Sequence, residues 1–179
     1  MANKKSNMQN KLTKESIFTA LMILMENKPF NEISITEITK KAGVSRMAFY
    51  RNYSVKEDII NTYIEELFQE YFSEIKPHED KFNYENVRLY FSYFRKHDKL
   101  ISNLIKSNLS NMLLEKCIEA FYVLSQDISC NRSYPPEKQK LWIALLVGGL
   151  YNVLIEWAKD GMKQSDEYMA QTVCEFMNE

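Results

Sequence analysis

The sequence predicts an all-α protein. Only four Gly and four Pro occur in 179 residues, too few turn residues for a chain built of many short strands. Apolar residues recur at i, i+3, i+4 spacing over successive segments, the signature of helices with one buried stripe. At 45% hydrophobic residues the chain can bury a core, so wholesale disorder is not expected.

Residues 1–10 are polar and are expected to form a disordered arm. A first helix is expected from about Leu12 to Asn27, with Ile17, Phe18, Leu21, Leu24 and Met25 on one stripe. Lys28-Pro29-Phe30-Asn31 breaks it, because Pro cannot continue the hydrogen-bond ladder. Ser34-Ile35-Thr36-Glu37 reads as a capping box opening a second helix, whose inner face is Ile35, Ile38 and Ala42. Gly43 ends that helix where a left-handed residue commonly sits. Ser45 is placed to cap a short third helix, Arg46 to about Asn52, and Ser54-Val55-Lys56-Glu57 reads as a second capping box opening a helix to about Ile75.

Lys76-Pro77-His78-Glu79-Asp80 is the main composition break, which suggests domains at about 10–70 and 71–179. Helices are expected beyond it at about 83–97, 99–106 and 109–128, followed by a loop from Ser129 to Tyr134. Pro135 and Pro136 suit a helix entry, where a missing N–H does no harm. That helix should run to about Lys159 with Gly161 as its stop, and a last one from Ser165 to Met177.

The net charge of −1 conceals an asymmetry. Residues 1–56 carry ten Lys/Arg against four Asp/Glu, and the remainder carries thirteen against twenty. A basic head on an acidic body points to a polyanionic partner at one end only. Cys117, Cys130 and Cys174 are odd in number and widely spaced, so neither a disulfide framework nor a zinc site is expected. His78 and His97 are the only histidines and lie in no metal-binding spacing. No nucleophile elbow or phosphate-cradling glycine loop occurs, so enzymatic activity, a metal and a cofactor are not expected. The start, MANKKSNMQNK, has no apolar signal region, and Leu141–Leu150 is too short to span a bilayer; a soluble cytoplasmic protein is expected.

The two short helices around Gly43-Val44-Ser45 form a helix-turn-helix candidate, a unit whose first helix crosses the DNA backbone while the second enters the major groove. Phe49 and Tyr53 supply the inner face of the second helix, and Ser45, Arg46, Met47, Tyr50 and Arg51 lie outward. The run Ile35-Thr36-Glu37-Ile38-Thr39-Lys40-Lys41-Ala42-Gly43-Val44-Ser45-Arg46-Met47-Ala48-Phe49-Tyr50-Arg51-Asn52-Tyr53, with Lys56-Glu57-Asp58-Ile59, resembles the N-terminal domain of TetR/AcrR-type transcriptional regulators. The resemblance covers about residues 10–70 and departs at Thr39, Met47, Ala48, Asn52 and Val55.

By that resemblance, Ser34, Tyr50 and Lys56 would bind phosphates, and Ser45, Arg46, Met47 and Ala48 would face base edges of double-stranded DNA. Arg46 is the best candidate for pairing with guanine, and Met47 for touching a thymine methyl. Arg51 and the lysines Lys4, Lys5, Lys11 and Lys14 would add nonspecific affinity.

The resemblance also implies a helical body that binds a ligand and forms a homodimer. Aromatic residues abound there, from Phe68 and Tyr71 to Trp157, and could line a pocket for a small apolar or aromatic molecule, although core filling is the better account of any one of them. Gly148 and Gly149, mid-helix, cost roughly 1 kcal/mol each relative to Ala, so something should approach that backbone closely. By the same resemblance Trp142, Leu145, Gly148, Gly149 and Trp157 are the expected dimer face, the alternative being packing of that helix within the body. The whole reads as a dimeric repressor released from a near-palindromic operator by a small ligand. The alternative is an activator or co-activator whose body docks a partner protein.

Overall fold

The computed structural model describes the backbone of residues 2–75, 83–127 and 135–178, and the side chains of 8–75, 83–122 and 135–177. Every regular element among them is helical: α1 (Ala2–Asn27), a 3₁₀ turn (Phe30–Glu32), α2 (Ile35–Ala42), α3 (Arg46–Tyr50), α4 (Glu57–Glu74), α5 (Tyr84–Arg95), α6 (Asp98–Lys106), α7 (Ser110–Asp127), α8 (Pro136–Lys159) and α9 (Asp166–Asn178). The all-α expectation holds. The break at 76–80 and the loop at 129–134 lie outside the described residues, as do His78 and Cys130.

The chain separates into two compact units, Met1–Ile64 and Glu65–Glu179. In the first, α1 packs on α2, and α2 on α3. Its core takes Ile17, Leu21 and Met25 from α1, Phe30 and Ile33 from the turn, Ile38 from α2, Phe49 from α3, and Ile59 and Ile60 from α4. Phe18 stacks on Tyr63 with ring centroids 3.5 Å apart, fastening α1 to α4. One expectation fails here: α1 begins at Ala2, so residues 2–10 continue the helix instead of forming an irregular arm. Further along α1, Thr13 and Ser16 return their hydroxyls to Gln9 O and Leu12 O one turn back.

Helix starts were set largely by their caps. Ser34 forms the expected capping box: its Oγ accepts from Glu37 N at 3.2 Å while Glu37 Oε2 accepts from Ser34 N at 2.9 Å. At α4 the expected box gives way to Asp58, whose Oδ2 accepts from the N–H groups of Ser54 at 2.8 Å and Val55 at 3.0 Å. The expected box would have paired Ser54 Oγ with Glu57 N and the Glu57 carboxylate with Ser54 N; Asp58 takes the Ser54 N–H instead, together with that of Val55.

In the second unit α5 packs on α9, while α6 and α7 pack on α8. The core between them is aromatic. Phe68, Tyr71, Tyr90, Phe91, Tyr93, Phe94 and Trp157 are buried and meet mostly edge-on. Two of the buried phenols end on backbone carbonyls: Tyr93 Oη donates to Leu67 O at 3.0 Å and Tyr90 Oη to Leu150 O at 3.3 Å. Arg95 then clasps the α8–α9 turn, with Nε on Asp166 Oδ1 at 2.7 Å and Nη1 on Met162 O at 2.8 Å, its guanidinium 4.5 Å from the Trp157 ring. The turn needs that grip, because Met162 adopts the left-handed conformation (φ +51°) beside Gly161.

Candidate nucleic-acid interface

Gly43 takes φ +68° and ψ 27°, the left-handed conformation expected of it, and turns the chain between α2 and α3. Ser45 Oγ then accepts from Ala48 N at 3.1 Å and starts α3. A helix of five residues cannot hold itself in water. Phe49 anchors it, fully buried, and Tyr53 packs beside that ring at 5.6 Å. Asn52 Nδ2 closes the last turn on Ala48 O at 3.0 Å. Thr39, in place of a smaller residue, is buried and sends its hydroxyl to Thr36 O in its own helix.

With Phe49 pointing inward, the opposite side of α3 faces out. Ser45, Arg46, Tyr50 and Arg51 are exposed, Ala48 is half-buried, and Met47 stands 75% exposed. Ser34 is exposed at the start of α2, its hydroxyl donating to Glu37 Oε2 at 2.7 Å. The structure thus brings Arg46, Met47 and Tyr50 onto one short helix, with Arg51 at its end, all exposed, as are Lys40 and Lys41 of α2.

Lys56 is placed differently from the expectation of a phosphate contact. Its ammonium donates to Phe30 O at 2.6 Å, Ile33 O at 2.9 Å and Asn31 O at 3.1 Å, and lies 4.5 Å from the Phe30 ring centroid. An ammonium has three N–H groups, and all three are engaged. Sequence reasoning also missed the Lys28 Nζ–Glu37 Oε1 pair at 2.9 Å, which adds a cation to the capping box. Its two partners are nine residues apart across a proline turn, so no helical spacing announces it.

In the second unit, Leu141 and Leu145 of α8 are 70% and 77% exposed, an unusual position for two large aliphatic side chains on one helix face. Trp142, Leu145, Gly149 and Val153 of α8 and Phe176 and Met177 of α9 line an apolar groove of about 300 Å³. A methyl group at Gly148 or Gly149 would meet nothing within 4 Å inside this protomer. Trp157 does not belong to that face. It is 3% exposed, edge-on to Phe91 at 5.4 Å, and its place is in the core under Arg95. The exposed groove also explains why α8 is the one helix among the described residues long and apolar enough to cross a membrane: its 18-residue stretch of mean hydropathy 1.6 is 44% buried, apolar both on the core side and on the groove side.

Cys117 is buried, and burial pushes its thiol well above the ordinary range, which leaves it inert. No group of three or more His, Cys, Asp or Glu side chains able to hold a metal occurs among the described residues.

Residues 17–63 match the sequence profile described as bacterial regulatory proteins, tetR family, and residues 83–179 match that of a transcriptional regulator C-terminal region. No curated protein sequence is close enough to count as a relative. Among solved structures, the chain is similar to Lin0861 from Listeria innocua, at 18% identity over 96% of this chain and 92% of that one, with a TM-score of 0.75. It is similar to the dihydroxyacetone kinase operon activator DhaS at 16% identity, covering 92% of this chain and 93% of that one, TM-score 0.61. It is also similar to the transcriptional regulator FadR from Bacillus subtilis, solved in complex with stearoyl-CoA, at 16% identity over 90% and 95% of the two chains, TM-score 0.58. The first profile covers the Gly43 turn and the outward face of α3, the second covers α5 to α9, and the chain therefore belongs to the TetR family of DNA-binding transcriptional regulators.

Proposed function

We propose that the protein works as a homodimer on a near-palindromic operator, represses from it, and releases it when a small apolar ligand enters the body. The observation that carries the DNA-binding part is the outward face of α3, where Met47 is 75% exposed with Phe49 buried behind it. Arg46 and Met47 are proposed to read base edges together with Ser45 and Ala48, while Ser34, Tyr50 and Arg51 bind phosphates. Two copies of α3 one DNA turn apart, about 34–36 Å, would address two half-sites.

The apolar groove between α8 and α9 supports the dimer, because two such faces pair into a four-helix bundle and bring Leu141 and Leu145 out of water. Trp142, Gly148 and Gly149 belong to the same proposed face, where the bare glycine backbone gives a partner helix room to approach. The similarity to FadR, solved with stearoyl-CoA, supports an apolar effector.

A second reading, an activator whose body docks a partner protein, is favoured by the aromatic core, whose rings close on one another at 4.8–6.3 Å. The similarity to the operon activator DhaS supports the same reading.

A gel shift on the DNA upstream of the protein's own gene, over a salt series, tests the first part; no shift at any salt would sink it. Deleting the gene and measuring transcription from that DNA separates the two readings. Transcription should rise for a repressor and fall for an activator.

A further inference from the structure

The helix-turn-helix segment, residues 34–55, leaves the rest of its unit at two ends: the turn Phe30–Ile33 before it and Lys56, just ahead of α4, after it. Lys56 joins those ends. Its ammonium takes the carbonyls of Phe30, Asn31 and Ile33 from a chain distance of 23 to 26 residues, and its charge faces the Phe30 ring. Phe30 is itself buried, so the neck is tied to the core. At the same point Asp58 holds the N–H groups of Ser54 and Val55, fixing the backbone on either side of Lys56.

We propose that Lys56 is a positioning residue: it clasps the neck of the helix-turn-helix and sets the pose of α3 against DNA, instead of binding a phosphate. This rests on the DNA-binding reading of the head. A phosphate cannot take one of its N–H groups without costing the clasp a carbonyl; Phe30 O has a second donor in Ile33 N at 3.1 Å, so the clasp adds to the turn's own bond there and reaches beyond it at Asn31 O and Ile33 O. The two roles differ in what they do to specificity. Loss of a phosphate contact weakens binding uniformly across sequences and lowers the salt slope by about 0.9 per contact. Loss of pose lets phosphates still be reached while base edges are missed.

The test compares Lys56→Arg and Lys56→Gln with the parent, as full-length protein, by thermal melting and by affinity for operator and scrambled DNA over a salt series. Arg keeps the charge and would serve a phosphate at least as well, but its planar fork cannot converge three N–H groups on three clustered carbonyls. The clasp predicts that both variants melt lower than the parent, by roughly 3 °C or more. At a temperature where both are folded, the ratio of operator to scrambled affinity should fall about tenfold for Lys56→Arg, with the salt slope unchanged. A Lys56→Arg protein that melts and discriminates like the parent overturns the proposal, as does a Lys56→Gln protein with an unchanged ratio and a salt slope smaller by about two per dimer. If the parent itself binds no DNA, the DNA-binding reading fails with it; an unchanged melting temperature in the variants would then separately remove the clasp.

Discussion

The Glu37 carboxylate accepts from Lys28 Nζ, from the Ser34 N–H and from the Ser34 hydroxyl, and these bonds, the Lys28 one foremost, hold its pKa at about 2. The ordinary value is 4.5, so the folded head binds this proton less readily than the unfolded chain does. The resulting stability is present above about pH 4.5 and is lost as pH falls toward 2. Melting curves at pH 5 and pH 3 should show a smaller acid-induced drop for Glu37→Gln than for the parent; equal drops would remove Glu37 as the cause. Arg46 makes a different prediction. Arg46→Ala should leave the melting temperature unchanged, because the side chain is exposed, yet relax base preference at one position by about 1–3 kcal/mol. Selection of binding sites from random DNA measures it, and an unaltered preferred sequence would exclude Arg46 from the readout. Both residues were legible in the sequence to different degrees. The Ser34–Glu37 box is a four-residue pattern and could be read directly, whereas Lys28 and Lys56 act over nine and more than twenty residues, where only the fold decides who meets whom.

At the scale of the element, the turn at Gly43 was the most readable feature, because its chemistry is local. A Cβ there meets nothing within 4 Å, so space does not demand glycine; the backbone angle does. Gly43→Ala should therefore cost about 1–2 kcal/mol through the left-handed penalty alone, measured by denaturant unfolding, and a neutral result would mean the turn relaxes to another shape. The start of α4 was harder to read. Glu57 and Asp58 are adjacent acids and both fit a cap; the shorter side chain won because it spans two consecutive N–H groups. The helical course of residues 2–10 had no apolar stripe to announce it, since a polar helix end carries little periodic signal.

For the molecule as a whole, the groove between α8 and α9 predicts how the proposed dimer fails. Leu145→Glu places a charge where a partner's apolar face would lie, so sedimentation at micromolar protein should show monomer, with operator affinity reduced. A variant that remains dimeric would move the interface elsewhere. Of the residues expected on the dimer face, Trp142, Leu145 and Gly149 line the groove. Trp157 was misassigned for a geometric reason. It lies about one turn beyond Val153, the last residue of α8 that lines the groove, where the helix flank is covered by Phe91 of α5, edge-on at 5.4 Å. Its indole N–H is buried with no acceptor among the described residues, so Trp157→Phe should be nearly neutral, within about 1.5 kcal/mol, the lost contacts being offset by removal of an unpaired donor.

The brevity of α3 has an evolutionary corollary. Because Phe49 moors those five residues and Ser45 caps them, the exposed side chains of Arg46 and Met47 contribute almost nothing to folding. Arg46 and Met47 can therefore be exchanged freely without imperilling the scaffold, and a lineage could re-address this regulator to new promoters through a few surface changes while every buried residue stays as it is.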